Sequence, residues 1–90
     1  MSGADGWRYV LDESVAEQVL AMSYSRREVL IRLFRELVNN PYEPGDRAFL
    51  DSIGRQIQEK TFGAWHICFW PDHSVKEMRI VSVQPVGASR

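Results

Sequence analysis

An apolar run at residues 64–70 (A-W-H-I-C-F-W) constrains the fold of this chain more than any other stretch. The run is apolar on nearly both faces, which is typical of a central strand that helices cover on one side. The four residues that follow, P-D-H-S, favour a turn, and residues 75–83 predict a returning strand. We therefore expect the C-terminal part of the chain to contain an antiparallel hairpin.

Two S-x-x-E patterns, which begin at Ser14 and Ser25, predict the starts of two helices. In such a capping box the serine and glutamate side chains satisfy each other's free backbone N–H groups. The first helix is expected to end near Tyr24, and the second near Asn39, where N-N-P stops it. An apolar stripe at helical spacing marks the inner face of the second helix: Val29, Leu30, Leu33, Phe34, Leu37 and Val38. Because almost no linker separates them, the two helices are predicted to form a helical hairpin.

Three further segments predict strands. Residues 7–11 are aromatic and β-branched, Arg47–Leu50 suits a brief strand, and residues 55–62 predict a strand with mixed faces. An N-terminal strand, a helical hairpin and a C-terminal antiparallel sheet make an α+β fold. Since the helices cover one face of that sheet, we expect the site on the other. Residues 1–90 are predicted to form one domain, with flexible ends at 1–6 and 86–90.

Composition narrows the class of function. Charged residues make up 26% of the 90 residues, but the net charge is only −1, which argues against a general polyanion binder. The single cysteine cannot form an intramolecular disulfide, which favours a reducing compartment. No signal-peptide core is present, and no apolar run approaches the ~20 residues that span a bilayer. We therefore expect a cytoplasmic protein that does not associate with membranes.

A group of residues with metal-ligating side chains lies close together in the sequence: His66, Cys68, Asp72 and His73. Zinc sites use three or four convergent ligands at recognised spacings, and this group matches none of them. Cys68 lies within a predicted strand, where burial would raise the pKa of its thiol and make it unreactive. We predict neither a metal site nor a cofactor.

His66 is the candidate for acid–base chemistry, because it alone on the predicted central strand can exchange a proton near neutral pH. Lys60 and Arg55, on the preceding strand, are predicted to complete a catalytic group with it by holding phosphates. Arg79 and Lys76 are assigned to substrate binding. The alternative interpretation is that His66 only forms a hydrogen bond at the sheet.

The second predicted helix carries a candidate docking edge. Arg27 and Arg35 flank Ile31 at helical spacing. This edge could receive a partner protein with Ile31 as its apolar centre. The alternative is a solvated face whose charges only keep the helix soluble.

The order of elements and three sequence pieces resemble the RelE/ParE superfamily of type II toxin–antitoxin toxins, in particular its plasmid-stabilisation-like members. The pieces are S-V-A-E-Q-V-L, E-V-L-I-R-L-F-R-E-L-V-N-N-P and G-A-W-H-I-C-F-W-P-D-H-S-V-K-E-M-R-I-V-S-V. The resemblance implies a β-α-α-β-β-β fold and a cytoplasmic antitoxin partner. In ribosome-dependent members it also implies cleavage of mRNA.

The nucleases of this superfamily place an arginine just after the aromatic residue of the central strand, where this chain has His66 after Trp65. They line the preceding strand with basic residues, of which this chain keeps Lys60. Two functions therefore stay open. One is a translation-inhibiting endoribonuclease with His66 as base and Lys60 and Arg55 for charge. The other is a non-enzymatic interaction module, either a DNA gyrase-binding toxin or an inactive scaffold that forms homodimers.

Overall fold

The computed structural model describes residues 6–87, which form seven elements. In chain order these are β1 (Arg8–Leu11), α1 (Glu13–Leu20), α2 (Tyr24–Asn39), β2 (Arg47–Leu50), β3 (Gln56–Phe62), β4 (Trp65–Asp72) and β5 (Glu77–Pro85). The predicted α+β class and the order of strand, helical hairpin and C-terminal strands are confirmed. The brief strand β2 makes four strands after the hairpin. Of the ends predicted to be flexible, residues 1–5 and 88–90 lie outside the described part of the chain.

All five strands belong to one sheet, in the order β1-β5-β4-β3-β2. β1 pairs with β5 in parallel, and the other three pairs are antiparallel. β4 is therefore the central strand, as the apolar run predicts. The predicted turn after it is two residues early, because Pro71 and Asp72 continue the ladder opposite Met78 and Glu77. The turn occupies residues 73–76 instead.

The two helices cover one face of the sheet, and the core lies between them. On β4 the buried side chains alternate: Trp65, Ile67 and Phe69 belong to the core cluster, which also contains Leu30 and Phe34 of α2. The intervening side chains of β4 point away from the helices, because successive residues of a strand face opposite sides. We call that second side of the sheet the open face.

Both helices begin earlier than the capping boxes predict. Asp12, not Ser14, is the N-cap of α1, and it makes no side-chain capping bond. Ser23, not Ser25, caps α2, and its Oγ accepts a hydrogen bond from the Arg26 N–H at 3.4 Å. The start of α1 is fixed by the sheet, since the Asp12 N–H donates to the Ile80 carbonyl at the end of β1. The end of α2 at Asn39 is as predicted.

An irregularity in the β4–β5 ladder shapes the open face. Cys68 pairs with Ser82, whereas the next residue, Phe69, pairs with Ile80, so Val81 is an extra residue on β5. A bulge of this kind increases local twist and bends the strand. It also keeps both Ile80 and Val83 in the core and brings Val81 beside the open face near Cys68.

Candidate functional site

The open face holds a trough with a volume of about 370 Å³. β3, β4 and β5 contribute its central residues, the β2–β3 connection lies on one side, and the junction of β1 and α1 lies on the other. The lining residues are Asp12, Phe49, Asp51, Ser52, Arg55, Ile57, Cys68, Val81 and Ser82. We refer to this set as the open-face trough. Its size and its mixture of apolar and polar groups are those of a binding pocket.

Cys68 lies half-buried in the open-face trough rather than in the core. Burial raises the pKa of its thiol, and a hydrogen bond with the Ser82 side chain opposes that rise only in part. The thiol therefore stays protonated at neutral pH. Cys68 therefore contributes a small polarisable surface to the trough. It does not act as a nucleophile, as expected from its position within a strand.

The wall of the trough at the β2–β3 connection is held by Asp51. Its Oδ1 accepts hydrogen bonds from the N–H groups of Ile53 and Arg55, at 3.0 and 2.8 Å. Its Oδ2 accepts from the Arg55 Nε–H at 2.7 Å. Loss of water alone would raise the pKa of the Asp51 carboxyl, but these hydrogen bonds and the Arg55 charge lower it overall. The connection is thus fixed in one geometry by a single ionised carboxylate.

Trp70 lies next to this wall and contacts two arginines. The guanidinium carbon of Arg55 is 5.1 Å from the centre of the Trp70 ring, and that of Arg79 is 5.9 Å from it. Arg79 is also the cross-strand partner of Trp70 on β5. Both distances are within the range of cation–π attraction. Two guanidinium groups are therefore held at the Trp70 indole.

Three carboxylates pair with the four arginines that the structure describes on the open face, and two of these arginines share Glu77. The ion pairs are those of Arg8 and Arg79 with Glu77, Arg47 with Glu59, and Arg55 with Asp51. Binding of a nucleic acid depends largely on basic side chains that replace counterions at phosphates. Guanidinium groups already paired with carboxylates offer little of that attraction. Electrostatically, the open face suits a neutral or cationic partner better than a polyanion.

The predicted catalytic group does not converge. His66 lies on the open face, with its Nδ1 2.9 Å from Oγ1 of Thr61, its cross-strand partner on β3. Lys60 lies on the opposite face, where its Nζ is 3.1 Å from Glu43 and 5.4 Å from the ring centre of Phe62. Arg55 is on the open face but at the far end of the trough. It contacts a side chain four residues along β4 from His66, a span of ~13 Å.

Two solved structures share this fold. The isolated RelE toxin of E. coli matches with a TM-score of 0.69 over 93% of this chain and 88% of the toxin, at 14% identity. A chain of the archaeal RelE–RelB complex from Pyrococcus horikoshii OT3 matches with a TM-score of 0.64 over 92% of this chain and 98% of that chain, also at 14% identity. The chain has the fold of the RelE toxins. No protein-family model and no curated protein matches the sequence.

The two residues predicted to bind substrate, Arg79 and Lys76, lie at the end of the sheet that carries the β4–β5 turn. Arg79 lies on the open face between Glu77 and Trp70. Lys76 is in the β4–β5 turn with a positive φ of 56°, and its carbonyl accepts a hydrogen bond from the Arg8 N–H at 3.1 Å. Both are remote from His66, which pairs with Gln84 near the other end of β5.

Arg27, which the sequence assigns to the docking edge on α2, holds the helical hairpin together instead of facing a partner. Its guanidinium donates to the carbonyls of Met22 and Leu20, at 3.1 and 3.4 Å, and so ties the two helices of the RelE fold together. Arg27 is half-buried and belongs to the hairpin turn rather than to a free edge. Ile31 is also half-buried, and Arg35 is exposed.

Two exposed apolar side chains that no sequence pattern singles out extend this edge. Leu20, at the end of α1, is 71% exposed, and Tyr24, at the start of α2, is 72% exposed. On a helix, Tyr24, Ile31 and Arg35 fall on one stripe. The predicted end of the first helix near Tyr24 is wrong: α1 ends at Leu20 and Tyr24 begins α2, so both side chains lie beside the hairpin turn. We call Leu20, Tyr24, Ile31 and Arg35 the hairpin edge.

The four residues with metal-ligating side chains separate in space. His66 and Cys68 are on the open face, whereas His73 stacks on Tyr42 with ring centres 5.7 Å apart. Within residues 6–87, no group of three or more histidine, cysteine, aspartate or glutamate side chains could hold a metal ion. In that same range, no helix is long and apolar enough to cross a membrane.

Proposed function

We propose that the chain is the toxin-like component of a type II toxin–antitoxin pair, and that it acts by binding a protein rather than by cleaving RNA. The RelE fold and its match to a RelE–RelB complex support the toxin–antitoxin part. The observation that carries the second part is the separation of His66 from Lys60 by the sheet. RNA cleavage needs a base, an acid and charge stabilisation at one phosphate, and these two residues cannot share one.

The antitoxin is the proposed partner of the hairpin edge. Leu20 and Tyr24 form an exposed apolar pair at the hairpin turn, and Arg27 fixes the backbone beneath them. Aromatic and apolar anchors on a rigid backbone are characteristic of the centres of protein interfaces. Ile31 and Arg35 would continue the contact along α2. We place the pair in the cytoplasm, where a half-buried thiol such as Cys68 stays reduced.

Expression of the gene alone and together with the neighbouring reading frame tests this function. We expect the protein alone to slow growth, and the neighbour to relieve that effect and to co-purify with the protein. An absence of both toxicity and a co-purifying neighbour would refute the toxin–antitoxin assignment. For the target, inhibition of DNA supercoiling would identify gyrase, and a concentration-dependent mass in solution would identify a homodimeric scaffold.

The second candidate function is a ribosome-dependent endoribonuclease. One observation favours it: His66 is on the open face, and only its Nδ1 is engaged, with Thr61, among the described residues. The other nitrogen, Nε2, would then act as base, while Arg55, Arg79 and Lys76 would contribute charge at successive phosphates, and Lys60, on the opposite face, would not. General acid–base catalysis contributes ~10²–10⁴-fold to rate. His66→Ala should therefore lower mRNA cleavage by that factor if this candidate is right.

A further inference from the structure

The open-face trough combines an apolar surface with one uncompensated negative charge. Of its charged lining residues, Asp51 and Arg55 neutralise each other in an ion pair. The Asp12 side chain caps no helix N–H and forms no ion pair with any residue of the range 6–87. The apolar part comes from Phe49, which is 45% exposed, whereas its cross-strand partner Ile57 is buried at 2% exposure and flanks Phe49.

The same end of the open face is poorly suited to a nucleic acid. A base needs an uncovered aromatic ring on which to stack, and both guanidinium groups near Trp70 already occupy positions against its ring. A phosphate needs free basic side chains, and Arg55 and Arg79 are both paired with carboxylates. A partner with a cationic group at one side of the trough and an apolar group at the other would satisfy Asp12, which follows β1, and Phe49, on β2.

The rigidity of the trough also suits a protein partner. Asp51 holds the β2–β3 connection by three hydrogen bonds, and Arg55 links that connection to Trp70. A binding surface that is already ordered loses little conformational entropy on association. Tryptophan and arginine are also the residue types most often found at the energetic centres of protein interfaces.

We propose that the open-face trough binds a segment of a target protein that lies across the strands and presents a lysine or arginine and, several residues away, an apolar side chain. The cationic group pairs with Asp12, and the apolar side chain packs on Phe49. This inference rests on the proposed function, because it identifies the chemistry of the protein that the toxin-like chain binds. The surface is separate from the hairpin edge, which is assigned to the antitoxin.

The test is selection of binders from a displayed library of random peptides on the full chain, followed by fluorescence anisotropy with the selected peptides. Sequences that combine a lysine or arginine with an apolar residue several positions away should be enriched. Asp12→Asn should weaken binding about two- to fivefold, as for one exposed ion pair, and Phe49→Ala about tenfold, as for an interface anchor. The Asp12 side chain makes no capping bond that asparagine would lose, and Phe49 is outside the core cluster, so both variants should fold.

Glu13→Gln is the matched control, because it removes the same charge from the adjacent residue, which does not line the trough. It should leave binding unchanged. The proposal is overturned if no peptide is selected, if the selected peptides lack basic residues, or if Asp12→Asn and Glu13→Gln have equal effects. Preferential binding of a single-stranded oligonucleotide would also overturn it. Each of these failures leaves the co-purification of the antitoxin unaffected, so the two proposals can fail separately.

Discussion

Lys60 and His66 lie on opposite faces of the sheet, although the strands that carry them, β3 and β4, are hydrogen-bonded neighbours. The register pairs His66 with Thr61 and Lys60 with Ile67, a core residue. Lys60 accordingly contacts Glu43 and Phe62, beside the helices. This relationship separates the two side chains that a phosphate-cleaving site on the open face would need together.

Because Lys60 and Arg55 lie on different faces of the sheet, replacing each of them should affect the fluorescence quenching of Trp70 differently. Trp7 and Trp65 are buried, so Trp70 should dominate the quenching of tryptophan fluorescence by acrylamide. Arg55→Ala should increase quenching, because it uncovers part of the Trp70 ring. Lys60→Ala should leave quenching unchanged and lower the free energy of unfolding by at most about 1 kcal/mol, the usual value of an exposed ion pair. Equal quenching of the two variants would contradict the assigned faces.

Gly45 is predicted to tolerate no side chain. A Cβ at this position would lie 2.7 Å from the Glu59 carbonyl oxygen and 3.1 Å from the Gln58 Cβ. Both atoms belong to β3, so the strand would have to move. Gly45→Ala should lower the free energy of unfolding in urea by about 1–3 kcal/mol, the usual cost of overpacking. Ser52→Ala, at an exposed position of the β2–β3 connection, is the control and should change it by less than about 0.5 kcal/mol.

Cys68 should react slowly with iodoacetamide at neutral pH. Burial raises the pKa of its thiol, so at neutral pH the reactive thiolate is a smaller fraction than in a free cysteine. That fraction should increase only at a pH above the usual pKa of a cysteine thiol. Ser82→Ala removes the hydrogen bond that lowers this pKa, and should therefore move the pH profile of alkylation further upward. If the wild-type protein gave an apparent pKa equal to or lower than that of a free cysteine, Cys68 would not be buried as described.

The hairpin edge can be tested with three substitutions at equally exposed positions. Leu20→Ser and Tyr24→Ser, at 71% and 72% exposure, should reduce the amount of antitoxin that co-purifies with the protein. Each should weaken binding about tenfold or more if the residue is an interface anchor. Ile53→Ser, at 73% exposure on the β2–β3 connection, removes a similar side chain far from the helices and should have no effect. Equal retention by all three variants would exclude the hairpin edge.

The order of helices and strands can be predicted because the apolar residues of the main elements recur at clear strand or helix spacing. The apolar run of β4 buries one face, and four residues of the predicted stripe of α2 are buried: Leu30, Phe34, Leu37 and Val38. Val29, at the edge of that stripe, is 37% exposed, so its place on the inner face was wrong. The ends of the elements were less certain, since they depend on tertiary contacts. Asp12 begins α1 because its N–H is bound to Ile80 at the sheet, and no local pattern contains that contact.

The candidate site was predicted less well, because it depends on register. Residues 56–62 alternate too weakly to reveal which side chains face the helices, so Lys60 was grouped with His66. Trp70 ends the apolar run that predicts the strand, but nothing in the sequence indicates that β4 places it between two arginines. The ion pairs of those arginines join residues from different elements, such as Arg8 and Glu77, and are invisible in a linear pattern.

The most direct test of binding without RNA cleavage is the integrity of mRNA in a translation extract supplied with the purified chain. Primer extension on the ribosome-bound message would be compared with and without the protein, with the E. coli RelE toxin as the reference protein. We predict that the message stays intact at every codon, even where protein synthesis stops. Cleavage that occurs with the wild type and is lost in His66→Ala would contradict the proposal.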